Sequence, residues 1–157
     1  MRRKVKNKVI IKPDYKYGSL DLEKFTNHIM EDGKKSIARK VVYSALDEIK
    51  KSAKKDPMEV FETALQNATP LLEVRSRRVG GANYQIPREV SAKRGITLAM
   101  RWIIQAARAK KGRPIYKKIA EELISASKKE GDAMKKRENT HRMAEANKAF
   151  AHFAWGK

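Results

Sequence analysis

The chain has 157 residues and carries 37 Lys and Arg against 18 Asp and Glu, a formal charge of +19 with an isoelectric point near 10.2. It is long enough to bury a core, has no cysteine and hence no disulfide framework or thiolate metal site, and contains no run near the roughly 18 apolar residues of a membrane span. So large a cationic excess calls for a polyanion, with nucleic acid the strongest candidate; a membrane surface is weaker, because no helix sets an aromatic-rich apolar face against its cations.

Residues 1–12 hold Arg2, Arg3, Lys4, Lys6, Lys8 and Lys12 without one acid, and read as an extended or disordered basic arm. No signal-peptide core follows it, so the expectation is a soluble intracellular protein. Pro13 to Ser19 is a loop, with Tyr15 and Tyr17 as packing staples. Leu22, Phe25, Ile29 and Met30 then mark a helix from Leu20 to Glu31, with Ser19 as N-cap and Gly33 as its stop. Asp32-Gly33-Lys34-Lys35-Ser36 is similar to the end of a phosphate-binding loop. His28 stands where the first glycine is needed, however, and no strand precedes it, so a nucleotide site is rejected. The segment is a turn presenting Lys34 and Lys35 outward.

The next helix runs from Lys35 to Ala53, with Ile37, Val41, Val42, Ala45, Leu46 and Ile49 on its apolar stripe. Asp56-Pro57-Met58-Glu59 is the clearest helix start: a cap, a proline at the first position and an acid three residues after the cap. Val60, Phe61, Ala64, Leu65 and Ala68 face inward before Thr69-Pro70 ends that helix.

Residues 72–90 are the only segment written in a β pattern. Val74, Val79, Tyr84, Ile86 and Val90 favour strands, and Gly80-Gly81 can take the positive φ of a tight turn. Arg75, Arg77 and Arg78 climb toward a tip made of Val79, Gly80, Gly81, Ala82, Asn83 and Tyr84, side chains suited to phosphates and bases. A merely solvated charged hairpin is the bland alternative. Two registers stay open: a turn on Gly80-Gly81 sets Glu73 opposite Arg88, whereas one on Gly81-Ala82 sets Arg75 there.

Ser91 to Lys110 is the most apolar helix and is expected to be central, with Trp102 in the core. Lys110, Lys111 and Arg113 form a basic loop, and Pro114 opens a helix facing Ile115, Ile119, Ala120, Leu123 and Ile124 inward until Gly131. Asp132 caps a last, strongly basic helix from Ala133 to Asn147, bearing Lys135, Lys136, Arg137 and Arg142. The aromatic tail, residues 148–157, either packs back on the body or docks on a partner. The expected fold is therefore mainly α: a six-helix, bundle-like body with one β-hairpin protruding between the third and fourth helices. One domain over residues 1–157 is expected.

No catalytic or metal signature is present. His28, His141 and His152 lie on separate elements, most carboxylates stand at helix starts or beside Lys and Arg, and the nucleophile and zinc motifs are all missing. The reading is a non-enzyme without cofactor, metal or small-molecule substrate.

Four stretches carry a resemblance: FTNHIMEDGKKSIARKVVYSAL from Phe25, EVRSRRVGGANYQIP from Glu73, LAMRWIIQAAR from Leu98 and KKRENTHRMAEANKAFAHFAW from Lys135. Together they resemble the seventh-protein family of the small ribosomal subunit in its bacterial and organellar form. The resemblance implies a structural constituent of that subunit, on a cytoplasmic ribosome in preference to an organelle one. It implies direct binding of small-subunit ribosomal RNA, nucleation of the subunit head, neighbouring ribosomal proteins as partners, and a hairpin approaching exit-site transfer RNA and messenger RNA. Position by position, the arm, Lys34-Lys35, Arg75 to Arg78, Lys110 to Arg113 and the cations of the last helix would face ribosomal RNA. The chain departs from the family pattern at Arg94-Gly95, where many members carry an Arg pair, and at Ser91, where Arg is common; Lys93 restores one charge. Arg94 is retained as an RNA contact. The tail ends Trp155-Gly156-Lys157, slightly beyond the expected aromatic end. Two readings from other classes are a DNA-bending protein, which would carry an apolar wedge or proline where this tip has Gly80-Gly81-Ala82, and an RNA-processing enzyme.

Overall fold

The computed structural model describes residues 10–155. Arg2, Arg3, Lys4, Lys6 and Lys8 of the predicted arm, and Gly156-Lys157, lie outside the described residues. Within them the chain forms six α-helices with an antiparallel hairpin between the third and fourth, and a 3-10 helix in the tail.

Before the first helix, the nearly buried Asp14 accepts N–H groups from Lys16 (3.0 Å) and Tyr17 (3.1 Å) and the Tyr43 hydroxyl (2.8 Å). This turn sets Tyr17 against Tyr43 at 6.1 Å, so Tyr17 is a staple as expected. Tyr15 is not: it sits on the outer side of the turn, 96% exposed. Helix α1 (Leu20–Ile29) is capped by Ser19, whose hydroxyl accepts from Leu22 N–H. It stops two residues short of Glu31, because Met30 leaves the helical conformation; Gly33, at φ +71°, shapes the following turn.

Helix α2 (Lys35–Ala53) matches its predicted bounds. Ile37, placed on its buried stripe by spacing, is instead 59% exposed and lines an open groove with Val41, Ile104 and Ile115. Ile37 is in the first turn of α2, at the rim of the packed layer. Helix α3 (Pro57–Ala68) starts as read, with Asp56 accepting from Met58 N–H. Helices α4 (Ala92–Ala109) and α5 (Ile115–Ser127) share the centre: α5 packs on α2, α3 and α4, and α4 buries Met100, Trp102, Ile103 and Ile104. Phe25 and Phe61, edge to face at 5.3 Å, add an aromatic pair that contributes beyond its buried area.

Gly95 faces a space without room for a side chain. A Cβ there would come within 2.8 Å of Thr69 Cγ2 and 3.4 Å of the Pro70 carbonyl, so α4 can pass this close to the end of α3 only through glycine.

Strands β1 (Leu72–Val79) and β2 (Ala82–Glu89) pair with Glu73 opposite Arg88 and Val79 opposite Ala82. This decides between the two registers: Gly80 (φ +57°) and Gly81 (φ +91°) form the turn, the positive-φ pair a two-residue hairpin requires. Helix α6 (Asp132–Ala146) differs from expectation at its start. Gly131 at φ +95° occupies the cap position, and Asp132 pairs with Lys135 at 3.0 Å. The buried first-turn N–H of Ala133 is taken up by Glu122 Oε1 of α5 at 3.0 Å. The tail, Lys148–Trp155, is a 3-10 helix that takes the first of its two expected courses and packs back, principally onto β2.

Candidate nucleic-acid interface

The cations singled out in the sequence divide into two groups according to what holds them. Lys12, Lys111, Lys136 and Arg142 are exposed. Lys34 stays 64% exposed beside Asp32 at 3.6 Å, and Arg113 66% exposed beside Glu121 at 3.6 Å; pairs this accessible are weak and leave both cations able to reach phosphate. Lys135 likewise remains 74% exposed while it touches Asp132.

A second set is tied into the fold. Lys35 and Arg39 both pair with Glu23, whose side chain is nearly buried. Lys110 reaches the fully buried Glu122 at 2.9 Å, so Glu122 locks the α4–α5 loop to the start of α6. Gly131 makes this possible, since a Cβ at that position would strike Glu122 Oε1 at 2.8 Å. Arg137 donates to the Asn67 carbonyl, while the Asn67 amide donates to the Ala126 and Ser127 carbonyls at 3.0 Å. One asparagine thus joins the ends of α3 and α5 to α6. Glu122 and Asn67 were missed in the sequence; each stands beside another polar residue (Glu121, Gln66) in a helical pattern, and only the packing of α5 and α6 reveals its partners.

On the hairpin, strand alternation sets Glu73, Arg75 and Arg77 on one face and Ser76 and Arg78 on the other. Glu73 does not use its cross-strand neighbour Arg88. Its carboxylate accepts from Arg94 Nε at 2.8 Å and approaches Arg75 at 3.9 Å, which fixes the start of α4 against the hairpin base. Arg94 nevertheless keeps 45% of its side chain exposed. Arg88 remains on the surface and, with Arg75, Arg77, Ile86 and Ala151, lines a groove of about 850 Å³ along the hairpin. Arg88 was treated in the sequence only as a pairing partner; the register itself was the signal that it belongs with these cations.

The tip is open. A Cβ built on Gly80 or Gly81 meets nothing within 4 Å, and Ala82 and Asn83 are exposed. Tyr84, grouped with the tip on the sequence, belongs elsewhere: it pairs with Arg77 two rungs below the turn strand and is half-buried under Phe150 and Phe153, each 5.2 Å away. It is therefore not presented for base stacking.

At the hairpin base His141 Nε2 accepts the Leu71 N–H at 3.0 Å, tying α6 to the strand entry. Burial, and then the Arg137 charge, hold its pKa below the ordinary histidine value. His28 is lowered in the same way by burial and Arg101, and burial with the Asp14 hydrogen bond raises Tyr43. Among the described residues no group of His, Asp and Glu is arranged to hold a metal ion, and no helix is long and apolar enough to cross a membrane. The arrangement can present fixed positive charge and an open loop tip.

A family model described as ribosomal protein S7p/S5e matches residues 1–148. The chain is similar to the small ribosomal subunit protein uS7 of Thermotoga maritima, 56% identical over 99% of this chain and 100% of the relative. Proteins of the same name from Dictyoglomus turgidum (56% identical, 92% of this chain and 93% of the relative) and Leptothrix cholodnii (54%, 97% of each) match as well.

Proposed function

The chain belongs to the ribosomal protein S7p/S5e family, structural constituents of the small ribosomal subunit and not an enzyme family, and on that premise we propose that it binds small-subunit ribosomal RNA directly and organises the subunit head. In this reading residues 1–157 act as one RNA-binding domain on a cytoplasmic ribosome. The arm, Lys34, Lys111, Arg113, Lys135, Lys136, Arg142 and the hairpin arginines neutralise phosphates and release counterions, giving affinity. The helical body fixes where those charges point, which favours one folded arrangement of RNA helices over others through differential binding. Lys35, Lys110 and Arg137 serve this function mainly by holding the frame; Arg94 does so while still accessible. The hairpin tip, Val79 to Asn83, approaches exit-site transfer RNA and messenger RNA, where its glycines permit close contact with a backbone.

The observation that carries this reading is the separation just described: exposed cations on a frame into which a second set, Lys35, Lys110 and Arg137, is tied by internal partners. Chemical footprinting of small-subunit ribosomal RNA with and without the protein tests it. Protection is expected to cluster where several RNA helices meet. Protection scattered evenly over duplex regions would instead mean nonspecific cation binding.

A further inference from the structure

A two-stranded ribbon is marginal on its own, yet the structure holds this one at two levels. At the base, Leu71 N–H is bonded to His141 and Glu73 to Arg94. Halfway up, Tyr84 lies under Phe150 and Phe153, with the two tail rings nearly parallel (16°) at 6.3 Å and His152 against Phe153 at 4.0 Å. Arg77, opposite Tyr84, donates to the Phe153 carbonyl at 2.9 Å. Ile86 is buried although it is no part of the main hydrophobic core. The hairpin and tail therefore share a small core of their own.

The conformation of the tail explains the spacing. With three residues per turn, a 3-10 helix brings positions i and i+3 onto one side, so Phe150 and Phe153 present both rings to Tyr84. We propose that Phe150 and Phe153 are positioning residues: the tail is a brace that fixes the angle and rigidity of the hairpin, and thereby places the tip. The inference rests on the hairpin reading given above for its functional consequence, but not for its mechanical one. The tail also walls the arginine groove through Ala151, so bracing orders that cationic surface together with the tip.

The test uses full-length protein with F150A/F153A, and F150Y/F153Y to restore the rings; single F150L and F153L variants serve if the double alanine variant loses helical content. Backbone ¹⁵N order parameters for residues 76–85 are expected to fall from about 0.85 to below about 0.6 in the alanine variant and to recover in the tyrosine variant. Affinity for ribosomal RNA should stay within about twofold, since no exposed cation is removed. Unchanged order parameters in a folded alanine variant overturn the brace. Reconstituted subunits give the second measurement, with exit-site transfer-RNA occupancy expected to fall several-fold alongside the loosened hairpin and to recover with the rings. A loosened hairpin with unchanged occupancy supports the brace and overturns the transfer-RNA reading of the tip.

Discussion

Individual charged residues in this chain are not interchangeable, and Lys110 is the clearest case. Its sequence neighbours Lys111 and Arg113 point into solvent, while Lys110 compensates a carboxylate with no exposed surface. Lys110→Ala leaves Glu122 with the Ala133 N–H as its remaining hydrogen-bond donor, and should cost about 3 kcal/mol, as expected when one partner of a buried pair is removed. Lys111→Ala and Arg113→Ala should stay within about 0.5 kcal/mol of the parent while weakening RNA binding. Urea unfolding and RNA titration of the three variants separate the roles; equal stability losses would refute the distinction. His141 makes a complementary prediction. Accepting the Leu71 N–H requires a neutral imidazole, and the folded-state pKa is depressed, so the unfolded chain takes up a proton first. The stability this group contributes is complete above the ordinary histidine pKa of about 6.5 and is lost as pH falls through the lower folded value. Between pH 7.5 and pH 5.5 the parent should lose more thermal stability than His141→Gln, which has no proton to gain; parallel losses would show that the contact does not titrate.

Among the elements, the hairpin is the one whose local geometry can be altered without touching the main core. Gly80 and Gly81 have positive φ and nothing nearby to clash with an added Cβ. Any penalty for Gly80→Ala or Gly81→Ala is therefore backbone strain, about 1–2 kcal/mol per residue. Because the turn is remote from α1 to α6, this cost should appear as faster amide exchange across β1 and β2 with little change in the global unfolding midpoint. A matching fall in the global midpoint would mean that the turn folds as one unit with the body. The packing of α4 against the end of α3 has the opposite character. There Gly95 is needed for space and not for conformation, because Thr69 Cγ2 would lie only 2.8 Å from a Cβ at that position.

For the whole molecule, the decisive quantity is a charge of +19 on a frame of 157 residues. If roughly six to ten phosphates are neutralised, affinity for ribosomal RNA should drop by about 10³ to 10⁵ between 50 and 200 mM monovalent salt, by analogy with duplex DNA. Equilibrium titrations at constant magnesium, which keeps the RNA folded, check this. A nearly flat response would point to an interface dominated by uncharged contacts.

Hydrophobic period, caps and turn chemistry are local properties, and they determined six helices, the hairpin between α3 and α4, the Asp56-Pro57 helix start and the burial of Trp102. Composition likewise pointed to a polyanion as partner, and the motifs around Phe25, Glu73, Leu98 and Lys135 pointed to the family. Only the tertiary structure decided which cations are available. Lys110 and Arg137 look the same in the sequence as Lys111 and Lys136, because an ion pair or a hydrogen bond to a distant carbonyl depends on which helices meet. The same holds for Tyr84, placed at the tip by its distance from Gly81 but enclosed by rings 66 and 69 residues further along the chain. Local pattern specifies an element and the face it buries; what that face meets is set by packing between residues far apart in sequence.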